Sequence, residues 1–346
     1  MQYGSVPVYA GLVAHRTGIR EIAEKAGVSV ATVSLALRDK GRMSDETRVR
    51  IKSLARESGY VPNAAARSLT SGRSQLIAIS IPGPGDVPEV IGSVQYFFRL
   101  LGAAAAKALE LDFGMLVSSP QGIPGNAAVD GAIVVDPSVD DPVIAACDRT
   151  GIPVVTIGRR LASEGAEPPR TWIVDNDFRV ATGTMLDHLA DSGSESIALL
   201  ATEPMDSFQQ DSISAYREWC RAGRRESRVV VSGSPHMDDA AKAAQELLAG
   251  SNPPDAVYAT IDTLARAVMD MAASDGVGIP SQLRVATCSD SELTRTAAPQ
   301  LTTIDERPVR LGEAAVELLI AAIADPDSAP EYVEVETELL VRESTS

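Results

Sequence analysis

The chain has 346 residues, of which 45% are hydrophobic and 23% are charged, so that a disordered or collagen-like chain is excluded. At roughly 150 residues per domain, this length predicts about two compact domains. The formal net charge of −16 argues against nucleic-acid binding by the chain as a whole, and no apolar stretch reaches the roughly 18 residues that suggest a membrane span.

The charge is distributed unevenly along the chain. Up to Gln75 there are 12 Lys and Arg residues against 6 Asp and Glu, a net charge of +6, whereas the remainder has 19 against 41, a net charge of −22. Only the amino-terminal part can approach a phosphate backbone without repulsion. We therefore expect a basic head that meets nucleic acid and an acidic body with a different task.

The first 17 residues contain a weak apolar patch with no Lys or Arg before it and no small-residue cleavage site, so we interpret 1–17 as a flexible extension and not as a signal peptide. The three cysteines are far apart in sequence, without a CxxC pair or a histidine at ligand spacing. We expect no disulfide, no metal and no cofactor, and a location in the reducing cytoplasm.

The first elements in chain order are two short helices. Apolar residues at helical spacing predict a helix that ends at Gly27, and Ser29 is placed to cap a second helix over 30–37. Two helices around a tight glycine turn form a helix-turn-helix. A third helix is predicted from Ser44, and the domain over 18–62.

A small helical bundle without a ligand would show the same pattern. DNA binding is favoured by Thr32 and Ser34, whose hydroxyls can donate to phosphate, and by nearby basic residues that supply counter-charge. These basic residues are Arg20, Arg38, Arg42, Arg48 and Arg50. A solvated basic face is the alternative interpretation for them.

The sequence of residues 63–74 predicts a short helical linker, because Asn63 can cap the start of a helix and the alanines that follow favour helix. A helix of about two turns is marginal alone. Leu69 beside Arg67 is unusual in a linker, and it fits an apolar wedge between base steps of a minor groove. Packing of Leu69 against the next domain is the alternative.

The sequences AGVSVATVSLAL (26–37) and YVPNAAARSL (60–69) closely resemble the head of LacI/GalR regulators. The resemblance implies a homodimer on double-stranded operator DNA, with the second helix of each head in a major groove and paired hinge helices in the minor groove. It implies base reading by Val30, Ala31 and Leu35. The further implied contacts are Arg20, Ser29, Thr32, Ser34, Arg38 and Arg42, with Asn63, Ala66, Arg67 and Leu69 in the hinge. Leu35 departs from the family's polar residue and offers only apolar contact, for instance to a thymine methyl.

From residue 75 onward, short apolar runs alternate with amphipathic helices, which predicts parallel sheets covered on both faces. About 270 residues exceed one sheet, so the expected fold class is an all-α helix-turn-helix head with a two-lobed α/β body. The segments IPVVTIG, LTTIDERPVRLGEAAVELL and ELLVREST resemble the same family's periplasmic-binding-protein-like core. We expect an effector-binding and dimerisation domain over 75–346, with lobe one at about 75–174 plus 305–329 and lobe two at about 175–304 plus 330–342.

The body also departs from the family. One helix of the first lobe is lost or shortened between Met115 and Asp130. Ser212 and Ser289 stand where relatives place a ligand-binding Arg and Asp, which weakens the hold on a polar ligand. A less polar effector, a protein partner and loss of effector control all remain compatible with this change. Trp172, Asp175 and Asp262 are further candidate cleft residues, with a helix cap or lobe packing as the alternative.

No catalytic constellation is evident, because the histidines are scattered and the GxG at 83–85 lacks the rest of a dinucleotide motif. We therefore expect a DNA-binding transcriptional regulator, a repressor rather than an enzyme, controlled by a small molecule such as a sugar or nucleoside in the cleft between lobes. A regulator that is independent of effectors or controlled by a protein partner is the alternative. A ligand-binding protein without DNA contact is less compatible with the basic head.

Overall fold

A computed structural model describes residues 18–37, 39, 41–60, 73–81, 91–118, 128–161, 171–203 and 206–346. The chain divides into two compact units, residues 1–74 and 75–346. The predicted extension at 1–17, most of the predicted linker and the shortened segment around 119–127 lie outside the described residues.

The first unit contains α1 (Ile19–Ala26), α2 (Val30–Leu37) and α3 (Asp45–Glu57). Gly27 ends α1 with a φ of 64°, a left-handed conformation that glycine adopts without steric cost. Ser29 caps α2, because its hydroxyl accepts a hydrogen bond from the Thr32 amide at 3.1 Å. Ile22, Val33 and Ile51, one from each helix, are fully buried. The predicted helix-turn-helix is confirmed.

The second unit begins with a first lobe built on a parallel sheet. Its elements are β1 (Leu76–Ser80), α4 (Ile91–Glu110), β2 (Gly114–Ser118), β3 (Gly131–Val135), α5 (Pro142–Thr150), β4 (Val154–Ile157) and β5 (Trp172–Asp175). The chain then crosses to a second lobe. That lobe contains α6 (Phe178–Asp191), β6 (Ile197–Thr202), α7 (Ser207–Ala222), β7 (Val229–Ser232), α8 (Met237–Leu248), β8 (Ala256–Ala259), α9 (Asp262–Ser274), β9 (Arg284–Cys288), α10 (Glu292–Thr296) and β10 (Thr302–Asp305).

Three final elements are shared between the lobes: α11 (Pro308–Ala324), β11 (Tyr332–Glu334) and β12 (Glu338–Leu340). The first sheet has the order β11-β5-β4-β3-β1-β2 and the second β12-β10-β9-β8-β6-β7. All strand pairs are parallel except β10 with β12. The prediction that 330–342 belongs entirely to the second lobe is corrected, because β11 pairs with β5 and only β12 joins the second sheet.

The sheets are covered on both faces, which explains their continuously apolar strands. Every residue of β3 is buried, with α4 and α11 against one face of the first sheet and α5 against the other. A Cβ on Gly312 of α11 would lie 2.5 Å from the Leu100 carbonyl of α4, so glycine permits these helices to approach closely. Across the described residues, every helix falls short of the length and apolarity that a bilayer crossing requires.

Candidate functional site

Helix α2 of the first unit has one packed face and one open face. Val33 and Ala36 are buried against α1 and α3, whereas Val30 and Leu35 are 40% and 37% exposed. Ala31 is exposed beside them. The three residues to which the resemblance assigns base reading therefore lie together on a solvent-facing surface.

Of the basic residues predicted near this surface, some are exposed and others make hydrogen bonds within the unit. Arg20 and Arg42 are exposed. Arg48 donates to the Gly41 carbonyl at 3.2 Å and Arg50 to the Ala26 carbonyl, so both guanidinium groups also hold the fold of the unit. Arg38, Asn63, Ala66, Arg67 and Leu69 lie outside the described residues.

Ser29 and Thr32 lie at the start of α2, where their hydroxyl oxygens are 2.8 Å apart. Ser34 lies one turn further on and is half-buried. The amino-terminal end of a helix favours negative charge, and this end carries hydroxyl donors rather than carboxylates.

The second unit contains a cavity of about 380 Å³ between its lobes. Its walls come from the carboxyl ends of strands in both sheets, where open parallel sheets commonly bind ligands. The first lobe contributes residues after β3, β4 and β5, and the second contributes residues after β6, β8, β9 and β10. Of the five predicted effector residues, Asp175 and Ser289 line this cavity.

The other three predicted effector residues do not line the cavity, and their placement is corrected. Trp172 packs half-buried against the core of the first lobe. Ser212 is fully buried on α7, and its hydroxyl has no hydrogen-bond partner among the described residues. Asp262 is the first residue of α9 and is buried, and its carboxylate accepts a hydrogen bond from the Ser291 hydroxyl of the same lobe at 2.6 Å.

Aromatic side chains that the sequence did not single out form much of the cavity wall. The chain has only five phenylalanines, and Phe97, Phe178 and Phe208 line the cavity together with Tyr96. The Phe178 and Phe208 ring centroids are 4.3 Å apart. Phe97 lies on α4 and the other two begin α6 and α7, so their sequence separation hid the cluster.

The cavity wall is also acidic. The carboxylates that line it are Asp136, Asp175, Glu203, Asp206 and Glu306, and no Lys or Arg of the described residues does so. This wall does not fit the less polar effector that the serines at 212 and 289 left open. Arg159 lies behind the wall, with its guanidinium paired to Asp211 and 3.8 Å from the Asp175 carboxylate.

Burial shifts the protonation of these carboxyl groups. It raises the pKa of Glu306 to about 7, although the Ser289 hydroxyl donates to this carboxylate and opposes the shift. It likewise raises the pKa of Asp175 to about 7 and that of Asp206 to about 6. The pKa of Asp136 lies well above its usual range because of burial and, next, the charges of Asp206, Glu306 and Asp175.

Direct hydrogen bonds join the two lobes beside the cavity. Gln95 of α4 accepts from the Glu292 amide of α10 at 2.7 Å. Arg99, one turn further along α4, donates to the Asp290 carbonyl at 3.4 Å. These contacts connect the lobes through elements other than the crossing strands.

Two family profiles match the chain. Residues 18–63 match "Bacterial regulatory proteins, lacI family", and residues 186–345 match "Periplasmic binding protein-like domain". The first match covers α1, α2 and α3, and the second covers most of the second lobe with α11, β11 and β12.

Curated relatives and solved structures extend over nearly the whole chain. The HTH-type transcriptional regulator CelR of Thermobifida fusca is 28% identical over 341 residues, covering 95% of this chain and 98% of that protein. The HTH-type transcriptional repressor PurR of Mannheimia succiniciproducens is 26% identical, covering 94% of this chain and 98% of that protein. The lac repressor dimer bound to operator, at 19% identity, shares the fold with a TM-score of 0.80 and covers 95% and 99%.

The exposed face of α2 and the two-lobed body indicate the same class of protein. The relatives match the chain over both of these parts. A helix-turn-helix domain of this pattern precedes a periplasmic-binding-protein-like body in the same order as in these regulators. The chain belongs to the LacI/GalR family of DNA-binding transcriptional regulators.

Proposed function

We propose that the chain is a repressor whose affinity for operator DNA is controlled by a small molecule bound between the lobes. The observation that carries this proposal is the cavity of about 380 Å³ at the strand ends of both sheets. Its volume falls within the roughly 300–1,000 Å³ of small-molecule sites. CelR, a relative of this chain, has been solved in complex with cellobiose.

The exposed face of α2 is the proposed base-reading surface. Val30, Ala31 and Leu35 would meet base edges in the major groove, and Arg20 and Arg42 would meet phosphates. Ser29, Thr32 and Ser34 are proposed as further contacts around the start of α2. Arg38, Asn63, Ala66, Arg67 and Leu69 complete the proposed DNA-binding set from the family resemblance.

Closure of the lobes is the proposed link between ligand and DNA. Because the cavity wall includes residues of both lobes, a bound ligand stabilises one separation of the lobes over another. In our proposal this separation alters the spacing of the two linker segments at 63–71 in a dimer. Their helical conformation and the DNA-bound state then stabilise each other. Hydrogen exchange over 63–71 with and without operator would show increased protection on DNA.

An exposed apolar stripe on α4 supports the proposed homodimer. Phe98 and Leu109 are 68% and 70% exposed, and eleven residues separate them, which places both on one face of the helix. Such a patch is typical of a protein–protein interface. Light scattering of the Phe98→Asp, Leu109→Asp double variant should give monomers, whereas an unchanged dimer would contradict this interface.

The effector proposal is tested with the full chain and DNA selected from its own genome. A panel of sugars, nucleosides and amines is screened by calorimetry, and each binder is then added to a DNA-affinity titration. A true effector changes DNA affinity by roughly 5- to 150-fold, the usual range of allosteric coupling. Phe208→Ala in the cavity should weaken this response, whereas Val180→Ala, at an exposed position of α6, should not. Constant DNA affinity across the panel would favour a regulator controlled by a protein partner.

A further inference from the structure

The acidic wall of the cavity is unusual because its carboxylates outnumber the partners that the protein provides. Asp175 accepts from the Asn176 amide at 2.9 Å, and Asp206 accepts from the Gln209 amide at 2.8 Å. Glu306 accepts from Ser289. The Asp136 carboxylate has no hydrogen-bond or ion-pair partner among the described residues.

A second polar group in the wall also lacks a partner. Gln209 is 2% exposed, and its side-chain oxygen accepts from the Thr202 amide at 3.3 Å and the Thr260 hydroxyl at 2.9 Å. Because a backbone amide can only donate, the oxygen must face Thr202. This orientation leaves the amide nitrogen of a nearly buried, cavity-lining residue without an acceptor among the described residues. A bound molecule with a hydroxyl or ether oxygen would supply that acceptor.

The charges around the cavity indicate the charge of the ligand. Five carboxylates line the wall. The nearby Arg159 guanidinium is already paired with Asp211, so it does not neutralise them. The sequence stretches of this unit outside the described ranges contain one further basic residue, Arg170. An anionic ligand would meet repulsion from this wall, whereas a protonated amine would relieve it. In the described ranges, no three carboxylate, imidazole or thiol groups converge to hold a metal ion.

The aromatic rings favour the same class of ligand. Phe97, Phe178 and Phe208 present ring surface to the cavity beside the carboxylates. Aromatic faces attract cations, and they also supply flat apolar contact. We propose that the effector is a hydroxylated amine of the amino-sugar class, with its ammonium at Asp136 and a ring or hydroxyl oxygen at Gln209. This inference rests on the proposed effector function of the cavity.

While the ligand's ammonium group stays protonated, the amine should bind more tightly as pH rises. Burial holds the pKa of Asp136 well above its usual range and raises the pKa of Asp175 and Glu306 to about 7. Asp175 and Glu306 are therefore partly protonated near neutrality, and an ammonium group must displace their protons. The groups that face them are the Asp206 and Glu203 carboxylates, the Tyr96 phenol, the Cys288 thiol and the Arg159 guanidinium, with Asp211, Asp262 and Asp305 behind. Binding would release protons in amounts that calorimetry in buffers of different ionisation enthalpy measures.

The test compares matched probes against the full chain by calorimetry. Glucosamine, galactosamine and the disaccharide of glucosamine are measured beside glucose, N-acetylglucosamine and glucuronate. We expect at least one amine to bind roughly tenfold more tightly than its neutral counterparts at about pH 7, where its ammonium group is still largely protonated, as one added charge pair predicts. Its affinity should fall between about pH 7 and pH 6, and glucuronate should not bind.

The Asp136→Asn variant removes the charge and keeps the side-chain shape. Asp136 has a φ of 48°, a conformation that asparagine tolerates as well as aspartate, so the variant should fold. It should lose the preference for the amine, whereas Asp238→Asn, at an exposed position of α8, should keep it. If a neutral sugar or nucleoside binds as tightly as the amines or more tightly and alters DNA affinity, this inference is wrong. The proposed effector function would still hold in that case. Absence of binding by every probe and every compound of the wider panel would contradict both.

Discussion

The side-chain amide of Asn176 donates hydrogen bonds to the backbone carbonyls of Glu306 at 3.2 Å and Val335 at 2.6 Å. Asn176 lies in the first crossing between the lobes, Glu306 in the second and Val335 in the third. One buried amide therefore joins all three segments about which the lobes can move. Asn176 and Glu306 also line the cavity, so the proposed ligand site and the crossing segments share residues.

Loss of the Asn176 amide should destabilise the hinge. Asn176→Ala leaves two buried carbonyls without their donor, and we expect a decrease of about 2–4 kcal/mol in the free energy of unfolding. Asn176→Asp should be comparably harmful, because a carboxylate cannot donate. Urea denaturation measures the decrease, and hydrogen exchange at 305–307 and 334–337 should accelerate. Asn252→Ala, at an exposed position, should change stability by about 0.5 kcal/mol or less. Equal stability of the Asn176 and Asn252 variants would contradict a hinge role.

The turn of the head should be sensitive to a side chain at Gly27. Gly27→Ala forces alanine into a left-handed conformation and should cost roughly 1–2 kcal/mol, seen as faster amide exchange in α1 and α2. Gly18→Ala is the control in the same helix, because Gly18 is the N-cap with a φ of −90°, a conformation that alanine adopts without strain, so only the weaker capping by alanine should cost stability, by about 0.5 kcal/mol. If the amides of α1 and α2 exchange at the same rate in both variants, the left-handed conformation at residue 27 is not required for the stability of the head.

Leu35 and Arg20 should affect DNA binding in different ways. Leu35→Ala would remove the proposed apolar base contact, so it should relax preference at one base position in each half-site and leave the salt dependence unchanged. Arg20→Ala would remove the proposed phosphate contact, so it should weaken binding to all sequences and reduce the slope of log K against log salt by about 1. Fluorescence anisotropy over a salt series, with operator and mismatched duplexes, separates the two effects. The reverse pattern would reassign both residues.

Loss of the proton from Glu306 should make the ligand-free protein less stable as pH rises. Its pKa is raised from 4.5 to about 7 in the folded chain, so the folded state binds the proton more tightly than the unfolded state. Stability is therefore highest below about pH 4.5 and decreases as pH rises to about 7, by on the order of 2 kcal/mol from this group. Thermal denaturation from pH 5 to 8 should show a smaller decrease in Glu306→Gln than in the natural chain. Glu246→Gln, at an exposed position, should retain the full decrease, and parallel curves for all three would contradict the assignment.

Local patterns were sufficient to predict most of the elements. The helices of the head follow from apolar spacing, Gly27 and the Ser29 cap, and the strand β3 follows from its unbroken apolar run. The strands β10, β11 and β12 were harder to predict, because they have three or four residues and few uninterrupted apolar runs. Their pairing decides to which lobe each belongs, and pairing depends on distant partners.

The cavity also depends on residues that are distant in sequence, so local patterns predict little of it. Asp175 and Ser289 lie at the carboxyl ends of strands, Asp175 as the last residue of β5 and Ser289 directly after β9, and Ser289 could be proposed because relatives place a ligand-binding residue at that position. Phe97 is indistinguishable in sequence from the core-facing residues of an amphipathic helix, and the closeness of Asp136 to Glu306 depends on folding of both lobes. Ser212 failed as a candidate because alignment gives a position without giving the direction of the side chain.

Selection of DNA fragments from the organism's own genome by the full chain tests the central claim most directly. At physiological salt, we predict that a small set of fragments is bound at least about 10³-fold more tightly than bulk DNA, and that these fragments share a sequence with two related half-sites. Uniform retention of all fragments, or of none, would contradict sequence-specific regulation through the exposed face of α2.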